Sequence, residues 1–97
     1  MKFMITWECH AGELGDALAH FSQMTQEQEK RDRGAGVKLI GRWHDLVGGR
    51  GVAICESNSA EAVSNWALNW NSILDFEIAV VLDDQETRAL GKKRAKR

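Results

Sequence analysis

The chain of 97 residues is poor in three features that define large classes of proteins. It has two cysteines, Cys9 and Cys55, which are too few for a disulfide scaffold and are typical of free thiols in a reducing compartment. No apolar run approaches the ~20 residues that span a bilayer. The apolar start is interrupted by Glu8 and His10 and is too short for a signal peptide. With 13 basic and 14 acidic residues, the net charge of −1 gives no general attraction to nucleic acid or to an anionic membrane. We therefore expect a cytoplasmic protein with neither partner.

Hydrophobic periodicity predicts alternating strands and helices. Residues 2–9 alternate, with Phe3, Ile5 and Trp7 on one apolar face, as expected for a strand. The predicted elements, in chain order, are strand 2–9, a helix from Leu14 that fades into the charged run Gln26–Arg33, strand 37–44, the glycine-rich turn 48–51, strand 52–56, a helix that begins near Asn58, strand 74–82 and a short helix capped by Asp83. We assign residues 1–90 to one domain and residues 91–97 to a basic disordered tail.

This element order, βαββαβ, predicts an α+β protein of ferredoxin-like fold. Its common solution is an antiparallel four-stranded sheet in strand order 4-1-3-2 with both helices on one face. The right-handedness of crossover connections supports this arrangement over its mirror image.

The predicted topology brings three of the four tryptophans, Trp7, Trp43 and Trp70, together at one edge of the sheet. Alternation orients Trp7 and Trp43 toward the helices, and helical spacing orients Trp66 and Trp70 toward the sheet. These four side chains predict an aromatic cleft between sheet and helices, with His44 at its rim, which is the usual form of a small-ligand site. The alternative is that the same side chains simply fill the core.

The other face of the sheet has nothing in the chain to cover it. Alternation assigns the following residues to it: Met4, Thr6, Ile40, Ala53, Cys55, Ala79 and Val81, beside the charged or polar Lys2, Glu8, Arg42, His44 and Glu77. A second copy packed face to face would cover this surface, and a two-fold axis makes such a surface self-complementary. We expect a homodimer in which Arg42 pairs with Glu8 or Glu77.

Four segments carry a resemblance to a known family. They are Gly41-Arg42-Trp43-His44-Asp45, Gly49-Arg50-Gly51, Trp66-Ala67-Leu68-Asn69-Trp70 and Val80-Val81-Leu82-Asp83-Asp84. On these residues the chain resembles a bacterial family known as domain of unknown function 3303, which is similar to the dimeric α+β barrel superfamily. The resemblance implies a ferredoxin-like protomer whose sheet packs on that of a partner. Relatives in that superfamily include cofactor-independent monooxygenases and haem-degrading enzymes, but no catalytic residue carries over, and function taken from them is analogy by fold.

His44 is the best candidate for a catalytic group, because imidazole titrates near neutral pH and this residue lies at the predicted edge. The alternative is a structural histidine at the dimer rim. No His, Cys or carboxylate spacing matches a metal site, so we expect no metal. Haem would rest on analogy alone, and we expect no cofactor.

Three other features have plain structural interpretations. Cys9 is followed by His10, but side chains of neighbouring strand residues diverge, so nucleophilic catalysis is disfavoured. The turn 48–51 could bind an anion through backbone N–H groups, yet a hairpin turn explains it fully. The basic residues after position 91 are best interpreted as a solvated tail.

The sequence therefore predicts a homodimer that binds a small apolar or aromatic molecule. Trp7, Trp43, Trp66 and Trp70 would supply apolar contact, and His44 or Arg42 would hold a polar group of the ligand; Arg42 is thus also a ligand-binding candidate. Two alternatives stay open. One is a cofactor-independent oxygenase or isomerase acting on a small aromatic or oxidised substrate. The other is a structural or regulatory dimer without a pocket.

Overall fold

A four-stranded antiparallel sheet organises the fold in the computed structural model, which describes residues 1–96. The strand order is β2-β3-β1-β4, which confirms the predicted ferredoxin-like order. The elements, in chain order, are β1 (Lys2–Cys9), α1 (Leu14–Gln23), α2 (Gln26–Arg33), β2 (Lys38–Asp45), β3 (Arg50–Glu56), α3 (Ala60–Leu68), β4 (Leu74–Val81) and α4 (Asp84–Ala95). No helix in residues 1–96 combines the length and the hydrophobicity needed to cross a membrane.

The core lies on the helix-facing side of the two central strands. Phe3 and Ile5 of β1 are buried there, as their alternation predicts, and Val63 of α3 is buried completely against the same cluster. Burying a side chain of this size contributes about 1.5–3 kcal/mol. The two central strands and α3 therefore form the rigid base on which the other helices rest.

The segment after β1 forms two helices instead of one that fades. α1 ends at Gln23, and Met24 has an extended backbone (ψ 130°). Thr25 then caps α2: its hydroxyl accepts from the Gln28 backbone N–H at 3.1 Å, and the Gln28 side chain accepts from the Thr25 N–H at 2.9 Å. This reciprocal capping box satisfies two donors that would otherwise be free, so the chain restarts a helix there.

A bulge in β2 changes which side chains face the helices. Leu39 pairs with Cys55 and Gly41 pairs with Ile54, so Ile40 is an extra residue on β2. Because side chains alternate with a period of two, one extra residue reverses the orientation of everything that follows. The predictions that Trp43 faces the helices and that Arg42 and His44 face the open side are therefore wrong.

Strand β3 has the opposite alternation from the predicted one. Its residues Ala53 and Cys55 pair with Ile5 and Phe3 and are buried in the core, whereas they were predicted on the open face. Directly paired residues of antiparallel strands share a face. The error arose because residues 52–55 are all apolar, which leaves the phase of the strand undetermined.

Helix α4 begins at the predicted cap and runs further than predicted. Asp83 accepts from the Glu86 N–H at 2.8 Å, and the Glu86 carboxylate accepts from the Asp83 N–H at 3.1 Å. Lys2 holds this first turn, with Nζ 3.1 Å from Glu86 Oε1 and 3.3 Å from Asp83 Oδ2. The helix continues to Ala95, which corrects the prediction of disorder for residues 91–95; residue 97 lies outside the described part. α4 has no buried residue, and the described chain measures 52 Å along its longest axis.

Candidate functional site

An apolar cavity of about 100 Å³ lies between the sheet and helices α1, α2 and α3. Five aromatic side chains line it: Trp7, Phe21, Trp66, Trp70 and Phe76. The charged and imidazole groups that reach it come from α2, from the second half of β2 and from Arg50 at the start of β3. The cleft predicted between sheet and helices is thus present, with three of its four predicted tryptophans.

Trp7 forms the floor of the cavity and depends on a glycine in the next strand. Trp7 pairs with Gly51 across β1 and β3. A Cβ atom on Gly51 would collide with the six-membered part of the Trp7 indole. The indole can therefore lie flat on β3 only because residue 51 has no side chain.

Trp66 and Trp70 are fixed by one carboxylate. Their indole N–H groups both donate to Asp32 Oδ2, at 3.1 and 2.8 Å, and Asn69 Nδ2 donates to Asp32 Oδ1 at 3.2 Å. The four-residue spacing of the tryptophans places both on the side that faces α2. Sequence reasoning missed Asp32, because it lies within a charged run that is typical of a solvated helix.

Arg42 enters the cavity with its charge already paired. Its Nη2 donates to Glu29 Oε1 of α2, and the two side chains are only 19% and 28% exposed. The guanidinium also lies 4.6 Å from the centroid of the Phe21 ring, a cation–π arrangement. This ion pair joins α2 to the sheet and closes one wall of the cavity.

The His44 imidazole lies between two aromatic rings at the cavity wall. Its ring centroid is 5.6 Å from that of Trp7 and 5.0 Å from that of Phe21. Among the described residues 1–96, no side chain or backbone group forms a hydrogen bond with it. Burial and then the nearby Arg42 charge lower the pKa of His44 below its usual value. The imidazole is therefore neutral at pH 7, with one donor and one acceptor nitrogen available.

The hairpin at the cavity rim is held by Asp45. Its carboxylate accepts from the Gly48 N–H at 2.8 Å and from Arg50 at 3.3 Å, and these two bonds lower the pKa of Asp45. The Gly48 N–H is therefore engaged within the turn. The glycine-rich stretch forms a hairpin, the plain structural interpretation given above.

Trp43 lies away from the cavity. It pairs with Val52 on the open face, is 61% exposed, and packs over Gly41, where a Cβ would collide with its indole. The site residues brought together are thus Trp7, Trp66, Trp70, Arg42 and His44, and the outlier is Trp43. Their roles in binding or catalysis stay predictions.

Two further reactive groups, Cys9 and His10, lie at the end of β1 and directly after it. Cys9 lines the cavity, but burial and the neighbouring Glu8 raise the pKa of the thiol, so it is protonated at neutral pH. His10 Nε2 lies 2.9 Å from Asp75 Oδ1. Within residues 1–96, no group of three His, Cys, Asp or Glu side chains is placed to hold a metal ion.

Fold and pocket together define a small ferredoxin-like α+β domain with an aromatic cavity between its sheet and its helices. The chain belongs to the family described as Domain of unknown function (DUF3303), whose model matches residues 1–95. This match confirms the resemblance drawn from the sequence. The fold is consistent with the dimeric α+β barrel superfamily, and the family description names no activity. The comparison with curated proteins finds no match.

Proposed function

We propose that this protein binds a small apolar or aromatic molecule in the cavity between its sheet and helices. The observation that carries the proposal is an apolar cavity whose wall holds an imidazole without a hydrogen-bond partner among residues 1–96. A few polar groups on an otherwise apolar lining are typical of ligand sites. His44 is exposed, so its ring nitrogens are within reach of a ligand that enters the cavity, and the unfilled apolar volume beside it favours a pocket over a filled core.

The size of the cavity limits the ligand. An engineered apolar cavity of about 150 Å³ binds benzene. At about 100 Å³ the cavity here encloses at most part of one small ring, so such a ligand must project into solvent. Leu46 of the rim hairpin lines the cavity and is 51% exposed, which makes the hairpin the expected side of exit.

A filled cavity should lose binding without loss of fold. Ala17 is buried on α1 and lines the cavity, whereas Ala19 lies on the exposed side of the same helix. We expect Ala17→Leu to abolish binding of benzyl alcohol in calorimetry and ligand-observed NMR, and Ala19→Leu to retain it. Thermal unfolding of both variants establishes that they fold. Equal binding by both variants, or none by the wild type, contradicts the proposal.

The proposed functional unit is a homodimer formed through the open face of the sheet. That face carries Met4, Thr6, Ile40, Trp43, Val52, Ile54, Ala79 and Val81, with Lys2, Glu8, Arg50, Glu56 and Glu77 among them. Its apolar groups are substantially exposed, Ile40 at 52% and Trp43 at 61%. Lys2 and Arg50 are already paired with carboxylates of their own chain, so a copy related by a two-fold axis can cover this face without leaving either cation unpaired. α4 supports the same partner, because a 12-residue helix without buried residues is marginal in water on its own.

Light scattering during size exclusion tests the dimer. Trp43→Glu places a charge in the middle of the proposed interface and should give monomers. Leu68→Glu is the matched control, because Leu68 is equally exposed (62%) but lies on α3. A monomeric wild type, or a dimer insensitive to Trp43→Glu, contradicts this assembly.

A second candidate function is proton transfer by His44, as in a cofactor-independent oxygenase or isomerase. It is favoured by the neutral imidazole, which can accept a proton from a ligand in the cavity. Turnover of a bound aromatic compound that His44→Ala abolishes, with affinity retained, would support it. The free Cys9 and Cys55 support a cytoplasmic location for either function.

A further inference from the structure

We propose, on the basis of the binding function above, that the cavity selects uncharged single-ring ligands with one hydroxyl or carbonyl group and rejects carboxylates. The ligand class is a small aromatic alcohol, phenol or ketone. The proposal follows from how the charges and hydrogen bonds of the lining are already engaged.

The two cations of the cavity, Arg42 and Arg50, already have anionic partners. Arg42 donates to Glu29, and its guanidinium face lies on Phe21. Arg50, which is exposed at the rim, donates to Asp45 at 3.3 Å. A ligand carboxylate on the remaining N–H groups of Arg42 would also lie close to the negative charge of Glu29, which offsets the attraction of the guanidinium. Both side chains of the pair are only partly exposed, so water and salt screen this repulsion less than they would at an open surface.

The carboxylates of the cavity oppose a second negative charge. Glu29 and Asp32 both line it, and among residues 1–96 Asp32 has no cation within ion-pair distance. Its oxygens accept from Trp66, Trp70 and Asn69. A ligand ammonium would be attracted by this charge, but it must give up its water to enter the apolar lining, and the three donors on Asp32 leave few lone pairs to replace that water.

His44 is the lining side chain that can recognise an uncharged polar substituent as either donor or acceptor. As a neutral imidazole it can donate to a carbonyl and accept from a hydroxyl. Trp7 and Phe21 fix its ring on both sides, so the hydrogen bond costs little additional ordering. An uncharged ligand with one such group therefore matches both the apolar lining and this residue.

The test uses four compounds with the same ring and one-carbon substituent: toluene, benzyl alcohol, benzoate and benzylammonium. Affinities for the wild-type protein are measured by calorimetry near neutral pH. We expect benzyl alcohol to bind at least about tenfold more tightly than either ion. His44→Phe should weaken benzyl alcohol about fivefold relative to toluene, because it removes one hydrogen bond and keeps a ring.

A charge variant examines the mechanism directly. Glu29→Gln leaves the Arg42 charge without its anion, so benzoate should gain about tenfold relative to benzyl alcohol. Glu61→Gln, at an exposed position in the first turn of α3, is the control and should leave the ratio unchanged.

The outcomes separate this proposal from the binding function. Binding of none of the four compounds overturns both. Binding in which benzoate or benzylammonium equals or exceeds benzyl alcohol overturns the selectivity and leaves the binding function standing. The wild-type panel decides this even if Glu29→Gln fails to fold.

Discussion

Asp32 should contribute more to stability than its place in a charged, polar helix indicates. Its carboxylate accepts hydrogen bonds from two indoles and an amide, at 3.1, 2.8 and 3.2 Å. Trp66 is only 8% exposed, so its N–H is largely shielded from water and depends on Asp32 as its acceptor. A hydrogen bond to a charged group contributes about 1.5–3 kcal/mol, and partial exposure of Asp32 and Trp70 reduces the total. We expect Asp32→Ala to lower the free energy of unfolding by about 2–4 kcal/mol.

Two variants show whether this loss comes from the indole bonds. Asp32→Asn keeps one oxygen that accepts from both indoles and should cost roughly 1 kcal/mol. Glu27→Ala, at an exposed position in the same helix, should cost less than about 1 kcal/mol through the helix dipole alone. Urea unfolding gives the three values, and the indole N–H resonances in ¹⁵N NMR should shift for Trp66 and Trp70 only in the Asp32 variants. A loss for Asp32→Ala no larger than that for Glu27→Ala would refute the reasoning.

The remaining predictions concern pH, a glycine and a cap. The fold lowers the pKa of His44, so the unfolded state binds more protons than the folded state as pH falls through the ordinary histidine range. The free energy of unfolding should therefore decrease over that range, and it should decrease less in His44→Gln. Urea midpoints measured across the same range will show whether it does. Gly51→Ala should lower the free energy of unfolding by about 1–3 kcal/mol, because its Cβ displaces Trp7. Gly15→Ala, with open space around its Cβ, should be neutral or stabilising. Thermal unfolding checks both variants, and equal effects would contradict the role of Gly51 beneath Trp7. Asp83→Ala should reduce the helicity of α4 in NMR secondary shifts without changing those of β1, and an unchanged α4 would show that the cap is dispensable.

The sequence predicted the orientation of side chains correctly in a strand that buries only one of its faces. Strand β1 alternates between apolar and mixed residues, so its phase, its core residues Phe3 and Ile5 and the orientation of Trp7 were predictable. Strand β3 is apolar on both faces along residues 52–55, and periodicity alone cannot assign a phase to such a segment. The order of the elements, and with it the fold, survived this local error because topology depends on element type and connection length.

The acidic residues of the site, Glu29 and Asp32, could not be predicted, because their partners lie far from them in the sequence. Glu29 and Asp32 lie in a helix without an apolar face, and only their distant partners Arg42, Trp66 and Trp70 draw them inward. A bulge leaves no reliable trace in a single sequence. The cap at Thr25, by contrast, was visible as a Thr followed three residues later by Gln, and it could have been used to divide the first helix in two.

Because β2 contains one extra residue, the effect of a one-residue deletion on the site depends on where in β2 the deletion falls. Removing Ile40 would convert the bulge into regular pairing and leave Arg42 and His44 directed into the cavity, because every later residue keeps its partner on β3. Removing Trp43 would instead give His44 the partner Val52 and carry it to the open face. Within one strand, therefore, a single deletion at position 40 has little effect on the cavity, whereas a deletion at position 43 removes the imidazole from the cavity. Relatives that differ in length at these two points should differ correspondingly in what they bind.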